Sequence, residues 1–183
     1  MCCCFIECKK AKIISLFALI LLIIAIIVFT IFIINSEIDR DILVAVARTG
    51  DNTEDGNAII NFSANQIIEG SALSHTPGSS EIMINEDGIY QISYQLTGVD
   101  QGTGRFNFNA ILLINDVPQN DTLNEGPVLS EDIVNNRYTL TSTVILKLSA
   151  GDTLELGALS LEEVQYPNAR IDIEKIGYYR IKD

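Results

Sequence analysis

The polarity of the chain changes sharply near residue 34. Residues 13–34 form a run of 22 residues that is almost entirely apolar and has no charged side chain. At a rise of about 1.5 Å per residue, a helix of this length measures about 33 Å, enough to cross a hydrocarbon core of about 30 Å. The run has no polar face, which a helix on the surface of a soluble domain would have. The pattern therefore predicts one transmembrane α-helix.

The charges on either side of this run predict its orientation. Lys9, Lys10 and Lys12 precede it, whereas residues 35–41 contain three acidic residues and one basic residue. Because basic residues stay on the cytoplasmic side, we expect the N-terminus inside and the bulk of the chain outside. The residues after the run lack the small-residue pattern of a cleavage site, which favours an uncleaved signal-anchor over a cleaved signal peptide. The predicted segments are a cytoplasmic tail (1–12), the transmembrane helix (13–34), a linker (35–41) and an extracellular head (42–183).

Within the head, short runs of alternating polar and apolar residues recur between turn residues. The clearest is 137–148, where one face is apolar and the other is rich in threonine. Such alternation is typical of strands with one buried face. No long amphipathic helical pattern occurs, so the head is predicted to be all-β, a sandwich or a barrel. The predicted strands are 42–48, 58–62, 81–84, 90–96, 105–114, 137–148, 153–159 and 170–176.

Turn residues mark the connections between these strands. Asp87-Gly88, Asn115-Asp116 and Gly151 are the strongest turn signals, and Gly151 suits a positive φ. The loops expected to carry binding specificity are 49–57, 70–80, 98–104 and 116–136.

Charge and cysteine content narrow the function of the head. After residue 34 the chain carries nine basic and 23 acidic residues. This balance argues against a nucleic-acid partner, because phosphate binding needs clustered lysine and arginine. All four cysteines precede the apolar run, and their role stays open. The head therefore has neither disulfides nor a zinc site built from cysteine, and its length suffices to fold without them.

Several motifs along the head occur together in one family. Residues 88–94 resemble the G-x-Y strand of the C1q and tumour-necrosis-factor-like jelly rolls, and residues 112–116 resemble their leucine-rich strand and turn. Residues 146–156 resemble their L-x-x-G-D signature, and residues 169–176 resemble their closing strand. Together with residues 56–62, the pattern is most similar to the C-terminal head of the collagen-like exosporium glycoproteins of spore-forming Gram-positive bacteria.

The resemblance implies an architecture and a partner. It implies a ten-strand jelly-roll sandwich after the transmembrane helix, and a compact homotrimer. Aromatic residues of such heads pack in the core or around the threefold axis; here they are Tyr90, Tyr94, Phe106, Phe108 and Tyr138. The layout departs from the exosporium proteins, because the chain has an apolar anchor and no collagen-like stalk. It is closer to the membrane-anchored arrangement of tumour-necrosis-factor ligands.

Few residues of the head suit catalysis or metal binding. His75, the only histidine, is expected in a solvated loop, and no G-x-S-x-G motif accompanies it. No cofactor is expected; Ca²⁺ is the one candidate, at the acidic cluster 51–56, which lacks the length of an EF-hand loop. Tyr166, Tyr178 and Tyr179 are expected in loops or near the terminus. The candidate ligand-binding residues are Asp51, Asn52, Asp55, His75, Asp100, Asn120 and Asp121.

These patterns favour a membrane-anchored, trimeric head without catalytic activity. It would act as a structural or ligand-binding module at the cell surface, for an unidentified protein or glycan. Three identical sets of loops would raise avidity without strong single contacts. The alternatives are a calcium-assisted carbohydrate-binding head and, less favoured, an ectoenzyme.

Overall fold

The chain divides into two units, Met1–Asp39 and Arg40–Asp183. In this computed structural model the described residues are 19–28, 30, 41–47, 53–55, 57–100, 107–127, 137–161 and 163–178. In the first unit, residues 19–28 are helical, and the Thr30 hydroxyl donates to the Ile26 carbonyl oxygen (2.6 Å). No helix in the described parts of the chain has the length and apolarity to cross a membrane. The rest of the predicted transmembrane segment lies outside the described residues.

The second unit is built from strands. In chain order they are β1 (Ile42–Ala47), β2 (Thr53–Asp55), β3 (Ala58–Ile59), β4 (Ala64–Glu69), β5 (Leu73–His75), β6 (Ile82–Ile84), β7 (Gly88–Asp100), β8 (Phe108–Ile114), β9 (Val117–Pro118), β10 (Asn124–Glu125), β11 (Arg137–Leu148), β12 (Thr153–Ser160) and β13 (Glu163–Gly177), with a 3-10 turn, η1 (Asn120–Thr122), before β10. The prediction of an all-β head is confirmed.

The strands form two antiparallel sheets packed face to face. Sheet A has the order β11-β7-β13-β1-β4, with β2 paired to β13. Sheet B has the order β10-β8-β12-β6-β5, with β3 paired to β12 and β9 to β8. From β6 onward the chain crosses between the sheets before and after β7, between β10 and β11, and on each side of β12, so that many neighbouring strands are distant in sequence. This is the arrangement of a jelly-roll sandwich.

Alternation along the long strands places one face of each sheet in the core. On β7, Tyr90, Ile92, Tyr94 and Leu96 are each at most 3% exposed, and they meet the apolar face of sheet B. On β11 the apolar face predicted from the sequence faces inward, and the threonine face points outward. The register between β11 and β7 is regular over all twelve residues of β11. The predicted alternation of residues 137–148 is confirmed.

Two of the predicted turns have the backbone conformation that their residue types favour. Asn115 and Asp116 have φ angles of 52° and 64°, and they join β8 to β9 as a tight hairpin. Such a turn needs positive φ at both central positions, which Asn and Asp tolerate. Gly151 has a φ of 95°, as expected for the turn between β11 and β12.

The start of β1 and the end of β13 lie together. The Lys175 N–H donates to the Asp41 carbonyl oxygen (3.0 Å). The Asp41 carboxylate accepts from two backbone N–H groups of the β4–β5 turn, those of Ser71 and Ala72 (both 2.9 Å). The Lys175 ammonium donates to Glu86 (2.6 Å) before β7. This terminal clamp connects four chain segments at one end of the sandwich.

The Glu86 carboxylate of the terminal clamp should make the stability of the head depend on pH. Hydrogen bonds from Lys175 and then Ser71 lower the pKa of Glu86 below its ordinary value. A lowered pKa stabilises the fold above the pKa of the unfolded chain, about 4.3, and this stabilisation is lost as pH falls through the folded value. The difference in unfolding free energy between the wild-type protein and Glu86→Gln should therefore shrink as pH is lowered from about 6 to about 3. Urea titrations at several pH values check this; a difference independent of pH would contradict it.

Candidate functional site

Of the five aromatic residues predicted for the core or the threefold axis, the four that the structure describes pack into the sandwich. Tyr90, Tyr94 and Phe108 are buried, and the Tyr94 hydroxyl donates to the Thr122 carbonyl oxygen (3.2 Å). Tyr138 is half-buried against the same core. Phe106 lies outside the described residues. The aromatic side chains that the structure describes from this set therefore belong to the core of the subunit.

An aromatic cluster closes the core at the end opposite the terminal clamp. The Phe108 ring stacks on Tyr138 (4.4 Å between centroids) and meets Tyr166 edge-on (5.5 Å). The Tyr138 hydroxyl accepts from the Phe108 N–H (2.7 Å) and donates to the Phe108 carbonyl oxygen (2.9 Å). Burial raises the pKa of both tyrosines. The prediction that Tyr166 lies in a loop or near the terminus is wrong: it lies within β13 and is 0% exposed.

The prediction that His75 lies in a solvated loop is also wrong. His75 lies in β5 and is only 8% exposed. Its Nδ1 faces the Asn65 Oδ1 (2.5 Å) and its Nε2 faces the Ser79 carbonyl oxygen (3.1 Å). The Phe62 ring packs against it edge-on (6.0 Å between centroids). Both ring nitrogens thus have protein partners, and the side chain has a structural role between β4, β5 and the following turn.

The other candidate ligand-binding residues do not form one site. Asn120 and Asp121 are exposed in η1, beside β8, whereas β5 with His75 is at the opposite edge of sheet B. Asp55 and Asp100 occupy neighbouring register positions on either side of β13. Asp51 and Asn52 lie outside the described residues. No group of three or more histidine, cysteine or acidic side chains that could hold a metal occurs in the part of the chain that the structure describes.

The outward side of sheet A is the most distinctive surface of the head. Its residues form rows across the strands: one row runs Val46, Arg170, Gln95 and Thr141, and the next runs Val44, Asp172, Ser93 and Thr143. We call the outward residues of β11, β7 and β13 the sheet A face. Hydroxyl groups on its neighbouring strands are hydrogen-bonded: Ser93 with Thr143, and Thr97 with Thr139, both at 2.9 Å.

Two clefts run along the sheet A face. The larger, about 470 Å³, lies between Arg137 and Arg170 and is lined mainly by amide and hydroxyl side chains. The second, about 370 Å³, continues from Arg170 along β7 and β11. Arg170 pairs bidentately with Asp172 (2.7 and 2.8 Å), which raises the pKa of the guanidinium. Periodicity predicted the outward threonines, but the clefts depend on the pairing of β13 with β7, which the sequence did not indicate.

The edge of sheet A beside this face is open. β11 is twelve residues long and pairs with β7 on one side only, as far as the described strands extend. Unpaired edges are sites where another chain can add or pack. Ile145, on the outward face of β11, is 61% exposed. The sheet A face and this edge are therefore the candidate interaction surface of the head.

The fold of the head has counterparts among solved structures. No family model and no curated protein matches the chain. A crystal structure of murine APRIL at pH 5.0 superposes with a TM-score of 0.51 at 12% identity, covering 74% of this chain and 99% of the APRIL chain. A second, at pH 8.0, gives a TM-score of 0.50 at 13% identity, covering 75% and 99%. APRIL is a jelly-roll protein of the tumour-necrosis-factor family. At this identity the likeness concerns the fold, and the head has a jelly-roll fold of the tumour-necrosis-factor type.

Proposed function

We propose that the protein is a membrane-anchored surface protein whose head assembles as a homotrimer and binds a protein or glycan ligand. The observation that carries the proposal is the sheet A face with its open edge, on a jelly roll of the tumour-necrosis-factor type. Heads of that type are homotrimers that bind receptors. A closed ring of three copies would cover an edge strand that is exposed in a single copy.

The chemistry of the head supports recognition rather than catalysis. The one histidine is engaged on both ring nitrogens inside the structure, so it is poorly placed to act as a general base. The clefts on the sheet A face are open and lined by amide, hydroxyl and charged side chains, which suits contact with another macromolecule. We therefore propose that the head is not an enzyme.

The membrane anchor and a role on a spore surface are proposals that rest on the sequence. The uncharged run 13–34 and the lysines before it support a single membrane span with a cytoplasmic N-terminus. The narrower resemblance to exosporium heads rests on sequence motifs, and a role on a spore surface would follow from it. The loops of the head would bind the ligand, and a trimer would present three identical sets of them.

A mass measurement tests the proposed trimer. We expect the full chain, purified in a density-matched detergent, to sediment with a protein mass three times the 20.1 kDa of one chain. Analytical ultracentrifugation at several protein concentrations gives this mass without a contribution from the micelle. A mass of one chain at every concentration would overturn the proposed assembly.

A further inference from the structure

The sheet A face carries polar groups that other side chains already hold in position. Arg170 donates three hydrogen bonds across the face, two to the Asp172 carboxylate (2.7 and 2.8 Å) and one to the Gln66 amide oxygen (3.2 Å). The hydroxyl groups of Thr97 and Thr139 are hydrogen-bonded to each other (2.9 Å). Groups with fixed positions lose little conformational freedom when a ligand binds. The face is therefore organised for hydrogen bonding before a ligand arrives.

The two clefts of this face form one elongated groove, because Gln95 and Arg170 line both of them. We call the residues that line the two clefts the polar groove. Along β11 it extends from Thr139 to Thr143, a distance of about 13 Å at about 3.3 Å per residue. The cleft volumes of about 470 and 370 Å³ are in the range of small-molecule sites. The shape suits a ligand built from several linked units.

Amide groups dominate the chemistry of the larger cleft. Gln66, Gln95 and Asn168 line it, beside the hydroxyl groups of Thr97 and Thr139. Among the described residues that line this cleft, none is aromatic. The centres of protein–protein contacts are enriched in aromatic side chains, which fill pockets of the partner. The groove therefore suits a ligand that binds mainly through hydrogen bonds.

Gln95 is the residue best placed to contact such a ligand. Its side chain is exposed where the two clefts meet, and its amide has no hydrogen-bonding partner in the part of the chain that the structure describes. A side-chain amide both donates and accepts hydrogen bonds. The acetamido group of a sugar has the same two functions and adds a methyl group. Val46 and Ala169 supply apolar surface for that methyl group in the same cleft.

We propose that the polar groove binds a neutral oligosaccharide whose sugars carry acetamido groups. This rests on the proposed function and names the class of ligand that the sheet A face takes. The amides of the groove pair with the acetamido groups, and the threonine hydroxyls pair with the hydroxyls of the sugar rings. The ligand is uncharged because Asp172 already neutralises Arg170 at the centre of the groove. Each contact is weak, and several heads presented together raise the avidity.

Calorimetric titration of the full chain in detergent with chitohexaose, a linear chain of acetamido sugars, tests the ligand class. We expect saturable binding. Cellohexaose has the same linkages with a hydroxyl in place of each acetamido group. It should bind about tenfold more weakly, since it leaves amides of the groove without partners. Equal affinities for the two oligosaccharides would overturn the inference.

Two glutamine variants test the location of the site. Gln95→Ala should weaken chitohexaose binding about tenfold, because it removes the amide shared by both clefts. Gln165→Ala removes an exposed amide that lines neither cleft and should leave the affinity unchanged. Both positions are exposed, so neither change should unfold the head, which circular dichroism of the same samples checks. Equal affinities of the two variants would overturn the assignment to the groove.

Sedimentation of the same samples separates this inference from the proposed trimer. A mass of three copies without chitohexaose binding would overturn the ligand class and leave the trimer standing, with a protein as the ligand. Saturable binding by a chain with the mass of one copy would support the groove and overturn the trimer. A single copy that binds no chitohexaose would overturn both.

Discussion

Replacing Phe108 with alanine is expected to lower the free energy of unfolding of the head by about 3–5 kcal/mol. The ring is 0% exposed, stacks on Tyr138 and supports Tyr166, so its removal leaves a cavity between two rigid rings. All six tyrosines lie in the head and the chain has no tryptophan, so tyrosine fluorescence during urea unfolding reports on the head alone. Val117→Ala, at a residue that is 59% exposed, is the control and should change little.

Gly98 faces the Phe108 ring, and substitutions at both residues test this contact more specifically. A Cβ on Gly98 would overlap the Phe108 ring, so Gly98→Ala alone should destabilise the head by about 1–3 kcal/mol. When Phe108 is already alanine, the overlap is gone and the added methyl group lies in the cavity. The double variant should therefore be more stable than the sum of the two single effects predicts. Additive effects would show that the two residues are not in contact.

The second large effect concerns the terminal clamp, where the two partners of one ion pair should differ. Glu86→Ala leaves the Lys175 ammonium buried, with 3% of its side chain exposed, without its carboxylate. We expect this change to lower the free energy of unfolding by about 1–3 kcal/mol. Lys175→Met keeps an apolar stem of similar length and leaves Glu86 40% exposed to water, still accepting from Ser71 (2.8 Å). That change should cost less than about 1 kcal/mol.

Urea unfolding of both variants under one condition checks the asymmetry. The comparison is informative because the two substitutions remove the same salt bridge and differ only in which charge stays behind. Equal losses would mean that the salt bridge itself, rather than the desolvation of Lys175, determines the stability of this end. A larger loss for Lys175→Met would contradict the burial of the ammonium group.

Long strands with one buried face were predictable from the sequence. The twelve residues of β11 alternate between exposed side chains and side chains that are at least partly buried. The predicted bounds 137–148 agree with the structure. The turns at Asn115-Asp116 and Gly151 were predictable for a similar reason, since the required φ angles limit the residue types. In both cases the information is local, within a few residues along the chain.

The strands and side chains that the sequence missed depend on contacts between distant segments. β4 and β5 carry few buried apolar residues, and they are strands because β1 and β6 pair with them. His75 is buried because Asn65 and Ser79 supply its partners. Tyr166 extends a strand that the apolar pattern predicts only from 170 onward. None of these contacts has a signal in the local pattern of residues.

The candidate interaction surface was predicted only in part. The outward threonines of β11 followed from alternation, but the loops seemed the better candidates for function. The clefts on the sheet A face depend on the pairing of β13 with β7, two strands that are distant in sequence.

The position of β1 in sheet A determines how the head would bear mechanical tension. β1 is an inner strand, paired in antiparallel register at six positions with β13 and at five with β4. Tension from a tether before Ile42 would act along the strand, while its hydrogen bonds lie across it. These bonds would be loaded together, in shear, and could not be peeled apart one at a time. A head pulled at its N-terminal end would therefore resist with both neighbouring strands at once.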